Sequence, residues 1–242
     1  MVFWDWLAYY RPAVLELLSG NNPHLIEGYF TPTLTLFPLI PFVLLGDIGT
    51  WLMFFTSLLS IAFVLWRYHA SPIAIGAFML SMLTVHSIAL GNVEWLVMLG
   101  LIAPAPLAIL LLTIKPQMSC IAILLICLNQ YKSGGIVKLS QSLVPVILAT
   151  LVSFCLYGFY PASWSIASPN NATLIPAILP LALAVSIKAF RDNDLLLAFG
   201  VSPCFAPRIS PQAWMGALVP FSRNQWEMLA ASVGTWIIFV MR

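Results

Sequence analysis

The 242-residue chain is 61% hydrophobic and only 7% charged, with ten basic and eight acidic residues and a net charge of +2. An ordinary soluble domain carries about 25% charged residues, and its folded form needs a polar coat that this composition cannot supply, so an integral membrane protein is expected. The near-balanced charge, with no run of Lys or Arg, excludes nucleic acid as the expected partner.

Residues 1–30 are acidic and aromatic, with Trp4, Trp6, Tyr9 and Tyr10 clustered as they are at membrane–water interfaces. They lack a charged stretch followed by an apolar one, so no cleavable signal peptide is expected there. Phe3 to Leu18 reads as one or two short interfacial helices, broken by the turn residues Ser19-Gly20-Asn21-Asn22-Pro23. Thr31 to Leu45 is apolar but interrupted by Pro32, Pro38 and Pro41, and falls short of the roughly 20 residues that cross a bilayer as a helix.

Ile48 to Trp66 and Pro72 to Leu90 read as clean spans, the second closed by the turn Gly91-Asn92-Val93-Glu94. Leu96 to Leu128 is one apolar block interrupted by Pro104-Ala105-Pro106 and by Lys115-Pro116. Asn129 to Gln141 is expected as a loop around a Gly pair. Leu143 to Tyr160 follows as a span, then a polar loop over 161–173, a span from Leu174 to Ile187, an apolar run from Leu195, a loop around "SPCFAPRISP" and a last span from about Met228 to Val240. The predicted architecture is all-α and polytopic, with roughly seven to nine transmembrane or half-spanning helices, residues 1–30 forming an extracytoplasmic interfacial region and 31–242 the transmembrane domain.

Basic loops mark the cytoplasmic side, which places Arg67, Lys132/Lys138 and Lys188/Arg191 inside and the 92–94 turn and the 161–172 loop outside. Two half-spanning helices, 95–103 and 107–115, then return Lys115 to the outer side. Residues 1–30 share that side only if the proline-broken 31–46 segment does not cross.

An ionisable side chain at bilayer depth costs a few kcal/mol or more and is by default a functional candidate. Lys115 either snorkels to an interface or faces an internal polar cavity, with Pro116 opening the helix beside it. Glu94 is either a solvated turn acid or a carboxylate at the mouth of a site. Asp5, Glu16 and Glu27 are interfacial acids, and His86 reads as a hydrogen-bonded core histidine. His24, His69 and His86 share no metal-ligand spacing, so no metal site is expected on histidine. Cys120, Cys127, Cys155 and Cys204 read as small apolar residues of membrane segments. Asn171-Ala172-Thr173 fits a glycosylation acceptor, a pattern too short to carry weight.

Taken in order, these features resemble one family. Asp5, then Tyr9-Tyr10-Arg11-Pro12-Ala13, then Leu17-Leu18-Ser19-Gly20-Asn21-Asn22-Pro23 resembles the "D…Y…A…LL.G.NPY" opening of polyprenyl-phosphate-mannose-dependent glycosyltransferases of the GT-C superfamily. "YFTPTLTLFPLIPFVLLGDIGTWLMF" resembles their "YPP…LLLPLA" segment with Thr31 for the first proline. Gly91-Asn92-Val93-Glu94 resembles their "GQVN" turn, with Asn92 at the Gln position and Glu94 at the Asn position. Lys115-Pro116-Gln117 resembles their "LLKPQ", and "SPCFAPRISPQAWMGALVPF" is similar to their "SP…SPY…H…LLLPL".

The resemblance implies a membrane enzyme that moves a sugar, mannose first, from a polyprenyl-phosphate carrier to a glycan or glycolipid acceptor outside a bacterial plasma membrane, with no further cofactor. Asp5 would be the general base on the acceptor hydroxyl and Lys115 would meet the donor phosphate. Glu94, Asn92, Arg11, His24 and Gln117 would contact sugar, phosphate or acceptor. Family members carry a membrane helix ahead of the Asp-bearing loop, so the resemblance implies either that the true start lies upstream or that this is a reduced relative that has lost activity or borrows such a helix from a membrane-protein partner. Two alternatives keep the fold expectation but change the function: a non-catalytic relative serving as a subunit of a membrane complex, and a transporter.

Overall fold

The computed structural model describes residues 3–29, 31–158, 175–207 and 209–241, and these contain helices and turns with no strand. After a wide helical turn at Trp6–Tyr10 come α1 (Arg11–Leu18), α2 (Ile40–Leu44), α3 (Gly46–Arg67), α4 (Pro72–Met79), α5 (Met82–Leu90), α6 (Glu94–Leu99), α7 (Ala105–Leu112), α8 (Pro116–Tyr157), α9 (Ile175–Asp192), α10 (Leu195–Val201), α11 (Met215–Leu218) and α12 (Gln225–Val240). The polar 161–173 loop, with its Asn171 acceptor pattern, lies outside the described residues.

Two helices, α3 and α8, are long and apolar enough to cross a membrane, or three if the bent pair α4–α5 counts as one span. The expected seven to nine crossing or half-crossing helices are therefore not what the described residues build. Prolines and caps cut the apolar stretches short. Thr33–Leu44 is twelve residues of short helical turns, about 18 Å as an α-helix and about 24 Å even if wound wholly as a 3-10 helix, too short to span the roughly 30 Å hydrocarbon core as a helix. The predicted span Pro72 to Leu90 bends by 60° at its middle, where Ser81 Oγ accepts the backbone N–H of Thr84 and starts a new helix.

The 129–141 region departs from its loop expectation. It is helical on both sides of a break at Gly134 and Gly135, the latter at φ 63°, because the Gly pair has the weakest helical preference in this stretch. The break turns α8 back on itself. Ser142 Oγ donates to Gln130 Oε1 at 3.4 Å, although twelve residues of straight helix would separate them by about 18 Å. The far end of the returning arm joins the N-terminal region, with Asn22 Nδ2 donating to Tyr157 O at 3.0 Å and Ser153 Oγ to Thr33 Oγ1 at 2.9 Å.

This gives the bundle two ends. One gathers the N-terminal turn, the 91–94 turn, Lys115 and the end of α8. The other gathers Tyr68, whose hydroxyl donates to Leu101 O at 2.7 Å, Asn129, which donates to Asn193 at 2.6 Å, and the two-pronged contact of Arg223 with Asp194. Between the ends, exposed apolar side chains cover the outside, among them Phe55, Leu59 and Phe63 on α3 and Ile147, Leu151 and Leu156 on α8. Water does not tolerate such a surface and lipid does. Trp51 and Trp66, 57% and 60% exposed, stand fifteen residues apart on α3, about 22 Å along its axis.

Candidate functional site

The site starts from an irregularity in the first helical turn. Trp6–Tyr10 is wound more widely than an α-helix, with the Arg11 N–H bonded to Trp6 O five residues back. Five-residue spacing brings Asp5 and Tyr10 to one face, and single wide turns of this kind are common at functional sites. Trp6, fully buried, anchors the turn by donating Nε1 to Thr50 Oγ1 at 2.9 Å, and the N–H of Phe3 bonds to Ala89 O at 2.5 Å.

Facing it is the turn that ends α5. Gly91 adopts φ 71°, and a Cβ there would sit 2.7 Å from Trp6 Cβ. Only glycine meets both demands at little cost. Gly91→Ala is expected to destabilise the fold by about 2–4 kcal/mol from backbone strain plus overpacking. A thermal-unfolding midpoint in detergent unchanged from wild type would contradict that close approach.

Asn92, next in the chain, joins the site. Its Nδ2 donates to Asp5 Oδ2 at 2.6 Å, while its Oδ1 accepts from Lys115 Nζ at 2.6 Å, Tyr10 OH at 3.0 Å and the Val93 N–H at 2.9 Å. Lys115 Nζ also meets Glu94 Oε1 at 2.5 Å, and Glu94 Oε2 accepts from Ser87 Oγ at 2.7 Å. Glu94 is 0% exposed and Lys115 5%. Pro116 does not break a helix here; it opens α8 at the first position, where its missing N–H is no loss. Lys115 thus sits at a helix N-terminus, which disfavours a cation, and the Glu94 carboxylate offsets that.

Charge sets the behaviour of Asp5. Glu94 neutralises Lys115, leaving the half-buried Asp5 as a second carboxylate near the pair. Burial raises its pKa most; Lys115 pulls it down and Glu94 pushes it up again, and the result is about 6. Tyr10 is held protonated, well above its ordinary range, chiefly by burial and then by Glu94 and Asp5.

Of the residues expected at the site, Asp5, Asn92, Glu94 and Lys115 come together. His24 lies outside this cluster: its Nε2 is 2.9 Å from Thr33 Oγ1, and its ring packs on Tyr29, which in turn meets Tyr10 edge-on. Burial lowers the His24 pKa. Arg11 pairs at 3.4 Å with Asp47, whose side chain is 97% exposed, a contact that solvent or a ligand readily replaces. Gln117, half-buried in the first turn of α8, makes no hydrogen bond to the cluster. Tyr10 and Ser87 were not among the expected residues. A buried serine one helical turn before Gly91 was a signal available for Ser87; the signal for Tyr10 required knowing that the turn is wide. Among the described residues no group of three His, Cys, Asp or Glu is placed to hold a metal ion.

Comparison with family models, characterised proteins and solved structures finds no match for this chain.

Proposed function

We propose that the chain is a multi-pass membrane glycosyltransferase of the GT-C kind, transferring a sugar, mannose first, from a polyprenyl-phosphate donor to an acceptor hydroxyl at the extracytoplasmic face of a bacterial plasma membrane. The observation that carries this reading is the convergence of four polar side chains, Asp5, Asn92, Glu94 and Lys115, from three separate segments of an otherwise apolar chain. Desolvating them is expensive, and such groups in membrane proteins serve function by default.

In this reading Asp5 is the base. Asn92 occupies Oδ2, and Oδ1 takes the acceptor proton as that hydroxyl attacks the anomeric carbon; the glycosidic C–O bond forms while the C–O bond to phosphate breaks, with its electrons leaving on the lipid phosphate. A carboxylate titrating near 6 is mostly ionised at neutral pH and still basic enough to share a proton in the transition state. Two of the three ammonium donors of Lys115 are already taken, so its main role is to fix Asn92 and hold the local field. Arg11, with its exchangeable partner, is the better placed of the two to meet a phosphate.

Charge distribution supports the orientation. Five of the eight acids (Asp5, Glu16, Glu27, Asp47 and Glu94) belong to the site end, and six of the ten bases (Arg67, Lys132, Lys138, Lys188, Arg191 and Arg223) to the other. By the positive-inside rule the site end faces out.

The test is the pH dependence of initial transfer rates in sealed vesicles given a polyprenyl-phosphate-mannose donor and a simple sugar acceptor. Transfer should rise with pH through a midpoint near 6, as Asp5 loses its proton. The same shift, upward from the unfolded value of 3.8, makes the fold less stable as pH climbs from about 3.8 to about 6. No transfer at any pH in correctly inserted protein would end the enzyme reading.

A further inference from the structure

The end of the bundle opposite Asp5 carries a second feature. A crevice of about 210 Å³ opens between the 100–105 turn, α7, the first arm of α8 and the start of α10, lined mainly by small or apolar residues (Gly100, Ala103, Ala105, Ala108) with the amides of Asn129 and Gln130 at its polar side. Gln130 uses its Oε1 to accept from Ser142, and its amide nitrogen has no hydrogen bond among the described residues.

One exposed cation stands a helical turn from this crevice, and a second lies at the same end of the bundle. Lys132 follows Asn129 by three positions on one helix face and is exposed. Arg67, also exposed, adjoins Tyr68, whose hydroxyl holds Leu101 O, itself a crevice residue, at 2.7 Å. Lys188 and Arg191 are both paired with Asp192, and Arg223 with Asp194; Arg67 and Lys132 are in no ion pair among the described residues. The exposed aromatic rings of Trp66 and Tyr131 stand beside them, as at a headgroup interface. Asn129 lies fourteen residues of helix from Lys115, about 21 Å, so the crevice reaches the opposite leaflet.

We propose that this crevice holds one chain of an anionic phospholipid, whose phosphate is met by Arg67 and Lys132 with the Gln130 amide. Unpaired cations above an apolar slot match a phosphodiester joined to an acyl chain, and a zwitterionic lipid would add a cation facing the same two charges. The site is independent of the transfer reaction and is tested without it.

The protein is reconstituted in phosphatidylcholine vesicles containing a minor fraction of phosphatidylglycerol, extracted in mild detergent, and its retained lipids are counted by native mass spectrometry. Wild type should retain phosphatidylglycerol about tenfold over its share of the bilayer, and R67Q/K132Q, two exposed changes that leave packing alone, should remove most of that preference. Ala105→Leu, which fills the slot, should lower retention of both lipids. Retention in proportion to the bilayer, or a preference unchanged in R67Q/K132Q, would overturn the proposal, and full retention in Ala105→Leu would remove the crevice from it.

Discussion

Asp5→Asn is expected to slow sugar transfer by about 10²–10⁴-fold, the usual contribution of a positioned general base, with insertion and folding unchanged. The reason is geometric. Asn92 Nδ2 donates to Asp5 Oδ2, and an asparagine oxygen accepts the same bond, so the substitution keeps the turn and removes only the proton acceptor. Asp5 is also half-buried with a raised pKa, so losing its charge relieves desolvation rather than adding to it. The measurement is the initial rate in vesicles beside the thermal-unfolding midpoint in detergent. A variant transferring at near wild-type rate would show that Asp5 is not the base, whatever else the cluster does.

Lys115→Ala acts through the fold first. It leaves the Glu94 carboxylate at 0% exposure without its counter-ion, and breaking a buried pair from one side costs about 3–5 kcal/mol. Removing both charges together is different. Lys115→Met with Glu94→Gln keeps the volumes, leaves an amide that Ser87 still bonds, and should recover most of that stability. Transfer should stay low in the double variant, because Asp5 then loses the nearby cation that restrains its pKa and Asn92 loses a donor that fixes its amide. A double variant as unstable as the single one would mean that the damage lies in packing and not in the unpaired charge. The exposed pair Lys188–Asp192 is the control: the same distance, 2.5 Å, but in water, where screening and the ordering of two long side chains leave such a pair little effect on stability.

Much of the site was legible because the chain is so poor in charge. In a segment such as "ILLLTIKPQM" a lysine has few explanations, and of the two available, snorkelling and an internal polar contact, burial selects the second. The wording of that contact was not legible. Lys115 read as a cation for a phosphate, yet its nearest partner is Glu94, twenty-one residues away in sequence, and its second is the oxygen of Asn92. Asn92 read as a substrate ligand, yet both ends of its amide are engaged within the protein. Tyr10 was invisible as a site residue because the usual helix period turns it away from Asp5; the wide turn turns it back.

The fold divides in the same way. Composition alone determined that helices and lipid would dominate, since backbone groups out of water must pair within their own segment. Local chemistry determined the start of α8 at Pro116, the end of α5 at Gly91 and the shortness of the helical turns over 31–46, because glycine, proline and capping side chains act within a few residues. What only the tertiary structure decided is which distant segments meet: Asp5 with Asn92 across 87 positions, the arms of α8 folded back at Gly134–Gly135, α4 bent from α5, and six bases gathered at the end away from the site. Those pairings depend on the shape of packed surfaces and on how far each charge is taken out of water, and neither quantity belongs to any single stretch of sequence.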